Sequence, residues 1–226
     1  MNLSKDLNEN IFYRILNFTY WFLLTNIYFF LFTVPFWMVL QLFWDPANLF
    51  SWGLLLISLL PVGPALTAMF SIMGKLHREK TISVTKDYFS AVKANFRQAL
   101  LPWTIQLVIT SIVIGDILFL AGHEIGSYIT PLCYLILIIN GIAALYLYPI
   151  LSRLEVPLGG LFKLAYGYAL FNIKTTLILI SMVAGTGILV YIIPIISLFF
   201  IIGPFGYGIM WIMKDITLEL EKKLIV

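Results

Sequence analysis

The polar side chains inside otherwise apolar stretches are the first candidates for chemistry. Three amides stand in such positions: Asn26, Gln106 and Asn140. A carboxamide both donates and accepts hydrogen bonds, so it can bind a sugar hydroxyl or tie two membrane helices together. Gly141 beside Asn140 would let a second backbone come close. A path for a small neutral solute and a contact between helices therefore both remain open, and the helix contact is the commoner use.

A second group of candidates lies on the polar segment 83–97. At 100° per residue its apolar side chains separate from a cationic face formed by Lys86, Lys93 and Arg97. This pattern predicts an amphipathic helix in the membrane interface. Asn95 breaks the pattern, because it falls within the apolar arc. The cations either contact lipid phosphates, as cytoplasmic lysines commonly do, or dock a cytoplasmic partner.

The segment 160–174 repeats part of this pattern 77 residues later. The matched pairs are Lys86 with Lys163, Asn95 with Asn172, and Arg97 with Lys174. The match predicts two copies of one unit, in which a cytoplasmic interfacial helix joins two spans. We expect Asn95 and Asn172 to lock each interfacial helix to the following span by hydrogen bonding.

No arrangement of residues typical of catalysis is present. Under the topology given below, His77 and His123 lie on opposite sides of the membrane and cannot share a metal or a proton. The glycine pairs lack the lysine of a phosphate-binding loop. The single cysteine, Cys133, excludes a disulfide framework and a cysteine-based metal site. The sequence therefore predicts no enzyme, no cofactor and no metal.

Composition places the chain in the membrane. Of its 226 residues, 61% are hydrophobic and only 11% are charged, against about 25% charged in soluble domains. Long uncharged gaps can each hold a span of about 20 residues. We predict an all-α polytopic membrane helix bundle, a single domain over 1–226, with six spans. They cover about 17–43, 50–74, 99–121, 127–151, 175–192 and 196–213.

Charge placement predicts the orientation. All 14 lysines and arginines lie before the first span, in 75–97, in 153–174 or after 213. Six spans put these segments on one side, so the positive-inside rule makes both termini cytoplasmic. No cleavable signal peptide is expected before the first span. The net charge of +3 then concerns the lipid bilayer or a cytoplasmic partner, not nucleic acid.

Two prolines after glycines, Pro64 and Pro204, are candidate kinks. Proline removes a backbone donor and interrupts the helical hydrogen bonds. Around Pro61 and Pro64 we expect a kinked or broken helix. Such sites serve either as hinges of a moving transporter or, more commonly, as static bends that suit packing.

Four elements together resemble the YesL-like family of small bacterial integral membrane proteins, whose biochemical function is unassigned. They are Asn26 with Thr33-Val-Pro35; Pro61 with Gly63-Pro64-Ala65 to Met69; Lys86-Asp-Tyr-Phe89 with Lys93-Ala-Asn95-Phe96-Arg97; and Tyr148-Pro149 to Arg153, continuing to Asn172. Genes of that family often neighbour those for carbohydrate ABC importers. The resemblance implies a bacterial plasma-membrane location and an auxiliary role in sugar uptake.

Two functions are therefore expected. The first is an accessory or regulatory membrane subunit of a carbohydrate ABC importer, packed beside its permease subunits. The alternative is a stand-alone transporter or channel for a small neutral solute, with Asn26, Gln106 and Asn140 along the path. The sequence specifies neither the substrate nor the oligomeric state.

Overall fold

The computed structural model describes residues 11–43, 45, 48–193 and 200–225, and these residues are helical almost throughout. The helices in chain order are α1 (Ile11–Leu42), α2 (Leu49–Leu59), α3 (Val62–Glu79), α4 (Val84–Leu120), α5 (Gly126–Leu151), α6 (Leu158–Phe171), α7 (Ile173–Ile192), α8 (Ile202–Ile212) and α9 (Lys214–Ile225). The predicted all-α class is confirmed for this part of the chain.

Five segments are long and apolar enough to cross a membrane: 13–42, 49–79, 84–120, 126–151 and 173–192. The predicted sixth span, 196–213, is described from residue 200 onward. There it contains the apolar helix α8, which has only 11 residues. At 1.5 Å per residue, α8 rises about 17 Å, which is short of a bilayer core of about 30 Å.

The second candidate span is a broken helix. Helix α2 ends at Leu59 and α3 begins at Val62, with Pro61 as its N-cap residue. Pro64 is the third residue of α3, within the first turn, where a backbone N–H has no partner in the helix. The indole Nε1–H of Trp103 donates to the carbonyl oxygen of Leu59 at 2.7 Å, and so satisfies one of the carbonyls freed by the break.

Pro204 occupies the equivalent position in α8, again as the third residue of a helix. Neither of these prolines therefore bends a helix from within. The prolines inside helices are others: Pro35 in α1, Pro102 in α4, and Pro131 and Pro149 in α5.

The predicted interfacial helix 83–97 is not a separate element. It forms the first part of α4, which continues without interruption through residue 120. The physical reason is local: residues 95–100 contain neither glycine nor proline, so nothing ends the helix where the surface segment was expected to stop. With 37 residues, α4 is about 55 Å long, so it extends well beyond one bilayer core.

The second predicted interfacial helix, expected at 160–174, is separated from the span that follows it, unlike the first part of α4. Helix α6 closes at Phe171 and α7 opens at Ile173, with Asn172 between them at φ −101° and ψ 58°. The buried residues nevertheless keep the offset of 77, as a repeated unit predicts. The pairs are Val84 with Leu161, Tyr88 with Ala165, Ala99 with Thr176, and Pro102 with Leu179.

The core forms around α3 and α8. Over half of the most apolar stretch of the α2–α3 segment is buried, against 11% for the stretches in α4 and α7. The glycines of α8 let side chains of α3 and α7 pack directly against its backbone. A Cβ at Gly206 would lie 1.9 Å from the Met69 Sδ of α3, and one at Gly208 would lie 2.4 Å from the Met182 Cε of α7. These contacts seat α8 between α3 and α7.

An ion pair joins the end of α3 to the start of α4. The Nζ of Lys75 lies 2.9 Å from the Oδ1 of Asp87, while the backbone N–H of Ser83 donates to Asp87 Oδ2 at 3.0 Å. We expect Asp87→Asn to lower the free energy of unfolding by up to about 1 kcal/mol, because this pair is only partly exposed. Unfolding in mixed detergent micelles would measure the change.

The matched control is Glu219→Gln, which removes the pair between Glu219 and Lys223 within α9. Both of its side chains are exposed, so no measurable change is expected. Equal losses in the two variants would contradict a structural role for Asp87.

Candidate functional site

Two of the three predicted amides meet at one buried site between α4 and α5. The Gln106 Nε2 donates to the backbone oxygen of Asn140 at 3.3 Å, and the Asn140 Nδ2 donates to the backbone oxygen of Gln106 at 3.4 Å. The hydroxyl of Tyr148, which lies about two turns after Asn140 in α5, donates to Gln106 Oε1 at 2.6 Å. Gln106 and Asn140 are 4% and 6% exposed, so these bonds replace water.

The same site extends to α6. Asn140 Nδ2 also donates to Thr110 Oγ1 at 3.1 Å, and the Tyr166 hydroxyl of α6 donates to Asn140 Oδ1 at 3.3 Å. Burial raises the pKa of the Tyr166 phenol above its ordinary value, so this group acts as a neutral donor. We call Thr110, Gln106, Asn140, Tyr148 and Tyr166 the amide network; it ties α4, α5 and α6 together.

The amide network leaves little for a solute to bind. Each amide oxygen of Gln106 and Asn140 accepts from a tyrosine hydroxyl, and each amide nitrogen has an acceptor. Five cavities of about 190–430 Å³ in the described residues are lined by other side chains. Of the two interpretations of these amides, a solute path and a contact between helices, the geometry favours the contact between helices.

Asn26, the third amide, lies apart from this network. Its Oδ1 accepts from the backbone N–H of Gly203 at 3.0 Å. Gly203 is the second residue of α8, and its N–H is one of the four at a helix start that have no partner in the helix. A side chain of α1 thus caps a helix 177 residues away in the sequence.

The basic segments of the sequence gather at one end of the bundle, which we call the basic end. Arg14 and Lys80 line a common cavity of about 210 Å³. Arg78, Arg153 and Lys214, from the ends of α3 and α5 and the start of α9, line another of about 190 Å³. The first part of α4 is tied to this end by the pair of Lys75 and Asp87.

The predicted interfacial cations are exposed, as an outer face requires. They are Lys86, Lys93, Arg97 and Lys174. Arg97 also lines a cavity of about 430 Å³ between α4 and the segment joining α5 to α6, with Glu155 on its other wall. The opposite face of this part of α4 is buried through Val84, Tyr88 and Val92.

The two asparagines of the proposed repeat act differently from expectation. Asn95 is half-buried, and its side chain makes no hydrogen bond to any residue in the described ranges. Asn172 acts through its backbone: its N–H donates to Tyr168, and its carbonyl accepts from both the N–H and the hydroxyl of Thr176. Tyr146 of α5 shares a 2.8 Å hydrogen bond with that hydroxyl, which holds the α6–α7 joint to the bundle.

Sequence reasoning missed the tyrosines of the amide network and the contacts of Arg153. Arg153 Nη2 lies 2.5 Å from Glu221 Oε2, and its Nη1 donates to Thr217 Oγ1 at 3.1 Å. The sequence gives little signal for these contacts, because Arg153 closes a long uncharged run, and at such a position an arginine ordinarily extends to the interface. Within the described residues, no three histidine, cysteine or acidic side chains come together as a metal site would require.

Comparison with known proteins gives one match. Residues 22–117 match a family described as "Protein of unknown function, DUF624", which is commonly called YesL-like. The match runs from α1 to near the end of α4, which is less than half of the chain. No curated protein and no solved structure matches the chain.

Proposed function

We propose that the chain crosses the bacterial plasma membrane six times, with both termini in the cytoplasm. The gathering of the positive segments at the basic end supports this topology, because cytoplasmic loops carry the excess of lysine and arginine. In the sixth crossing, α8 would supply the cytoplasmic half, since it leads directly into the charged helix α9.

Within that membrane, we propose that the protein is an accessory or regulatory subunit of a carbohydrate ABC importer. The observation that carries the proposal is the closed amide network, whose amide groups bind one another and neighbouring side chains. A transport path needs polar groups free to exchange hydrogen bonds with the solute. The matched family adds context, since its genes often lie beside those for such importers.

The exposed faces of α4 and α7 suit an attached subunit. In α7 only Thr176 and Leu179 are buried among 20 residues, and its remaining surface is available to lipid or to a second membrane protein. Apolar faces alone do not choose between these, but α7 also carries Gly185 and Gly187, where an added Cβ would meet nothing within 4 Å. Glycines on an open face permit close approach of a partner helix.

A tagged copy expressed at its native level should co-purify with the importer permease subunits from gently solubilised membranes. Deletion of the gene should lower carbohydrate uptake, and re-expression should restore it. The matched variant is Gly185→Leu, which enlarges an exposed side of α7 at a position where an added Cβ meets nothing within 4 Å. It should reduce co-purification while the protein stays in the membrane.

Two results would contradict the proposal. One is unchanged uptake in the deletion strain together with no co-purifying permease. The other is saturable sugar flux in liposomes that contain this chain alone, abolished by Asn140→Leu. The second result would establish the stand-alone transporter instead.

A further inference from the structure

A cavity of about 190 Å³ opens at the basic end, where α3, α5, α8 and α9 meet. Gly74, His77 and Arg78 of α3 form one wall, and Arg153 and Lys214 stand on others. The proposed accessory role assigns no task to this cavity. Its walls bring three permanent cations and one imidazole together from segments up to 140 residues apart in the sequence.

The positive charge of this cavity is only partly neutralised. Arg153 is paired with Glu221 and hydrogen-bonded to Thr217. Neither Arg78 nor Lys214 lies within ion-pair distance of a carboxylate in the described ranges, although Lys214 Nζ sits 5.6 Å from the ring centre of Trp211. Glu79 and Glu221 attract Arg78 from beyond ion-pair distance, so the cavity keeps two cations that have no direct carboxylate contact.

The side chain of Arg78 turns toward the cavity. A Cβ built on Gly74 would lie 3.3 Å from Arg78 Nη1, so the guanidinium folds back over the preceding helical turn. Partial burial and, next, the charge of Arg153 lower the pKa of Arg78, while Glu79 and Glu221 oppose this shift. The residue is nevertheless exposed, as long cationic side chains near a membrane surface ordinarily are, so an anion can reach it from water. An anion between the two guanidinium groups would offset their repulsion.

His77 adds a fourth polar group. Its Nδ1 is buried and has no hydrogen-bond partner in the described part of the chain, whereas buried polar atoms are nearly always satisfied. On its other side the imidazole contacts the Tyr207 ring edge-on at 5.9 Å. An N–H on this ring would give the cavity a neutral donor beside its cations.

We propose that this cavity binds a phosphate group. Guanidinium groups match phosphate oxygens with paired hydrogen bonds, and lysine adds a point charge. The proposed topology puts the basic end at the cytoplasmic surface of the membrane. The phosphate group can therefore come from two sources, an anionic phospholipid headgroup or phosphate dissolved in the cytoplasm. In other membrane proteins, basic pockets between helices on the cytoplasmic side bind lipid headgroups.

The test uses the full chain, purified in a non-ionic detergent, in two arms. Inorganic phosphate is titrated into the protein and followed by calorimetry. In parallel, the protein is placed in mixed micelles of the same detergent and phosphatidylcholine, with and without phosphatidylglycerol, and retained lipid is counted by native mass spectrometry. The variants are Arg78→Gln and Lys214→Gln, and the matched control is Lys222→Gln, which removes the same charge from an exposed position of α9.

Wild type should bind saturably in at least one arm, and Arg78→Gln and Lys214→Gln should each weaken that binding about tenfold or more. Lys222→Gln should change it less than twofold. Binding of phosphate alone would assign a dissolved ligand, and retention of phosphatidylglycerol alone would assign a lipid. The proposal is overturned if neither binds, if Lys222→Gln weakens binding as much, or if both cavity variants bind like wild type. Arg78 makes no ion pair in the described residues, so its variant should elute and melt like wild type.

Discussion

Replacement of Gly203 by alanine is expected to destabilise the bundle by about 1–3 kcal/mol, the usual range for overpacking a well-packed contact. A Cβ at this position would lie 2.9 Å from the Phe22 Cα and 3.0 Å from the Phe22 Cβ. Backbone atoms cannot rotate aside as a side-chain end can, so α1 and α8 would have to separate. Separation would also stretch the 3.0 Å hydrogen bond from Gly203 to Asn26.

The matched control is Gly185→Ala in α7, where an added Cβ meets nothing within 4 Å. This change should leave stability unchanged or raise it by up to about 1 kcal/mol, because alanine favours the helix more than glycine does. Thermal melting of both variants in one detergent measures the contrast. Equal melting temperatures for Gly203→Ala and Gly185→Ala would contradict the close contact of α1 and α8.

The second large effect is expected from Asn140→Leu. This variant removes the hydrogen bonds from Asn140 to Thr110, to the Gln106 backbone and from Tyr166. Hydrogen bonds between membrane helices contribute about 0.6 kcal/mol each on average and at most about 1.7. Three of them at the average value predict a loss of about 2 kcal/mol in the free energy of unfolding, measured by titration with a denaturing detergent.

A double-mutant cycle with Gln106→Leu sharpens this prediction. Because both side chains hold α4 against α5 at the same place, loss of one loosens the contact that the other makes, and the double variant should lose less than the sum of the single losses. Gln41→Leu is the matched control, since this amide is exposed near the end of α1, and it should change stability by less than about 0.5 kcal/mol. Additive losses in the cycle would mean that the two amides act separately.

The sequence identifies the amides of the network but not their partners. Gln106 and Asn140 stand out because amides are rare in apolar runs. Tyr148 and Tyr166 do not, because tyrosines in a membrane protein are expected at the interfaces. Which hydroxyl reaches which amide depends on the rotation of α4, α5 and α6 about their axes, and residue types do not specify that rotation.

The sequence also does not specify where some of the helices end. The pattern of charges on 83–97 predicts the two faces of the first part of α4, and Val84, Tyr88 and Val92 are indeed buried. It does not predict that α4 continues, because a surface helix followed by a span looks the same as one long helix. What orients this part is tertiary packing: the Tyr88 hydroxyl donates to the Ala65 backbone oxygen, and its ring contacts Tyr28 of α1 at 5.6 Å.

Whether a proline bends a helix or begins one depends on its position relative to the helix start. The sequence marks Pro64 and Pro204 as candidate kinks, but the effect of a proline depends on where the next helix starts. Since each is the third residue of its helix, it sacrifices no hydrogen bond. Only the three-dimensional start of α3 and α8 distinguishes an initiating proline from a bending one.

The cap that Asn26 provides for α8 also sets an order of events during synthesis. Helix α1 enters the membrane long before Gly203 has been translated, so the Asn26 Oδ1 accepts from the Gly203 N–H only late in synthesis. The contact spans 177 residues, so it is among the last that the growing chain can make. The contact between α1 and α8 therefore forms only when the bundle is nearly complete, and a chain stopped before residue 203 lacks the N–H that Asn26 Oδ1 accepts.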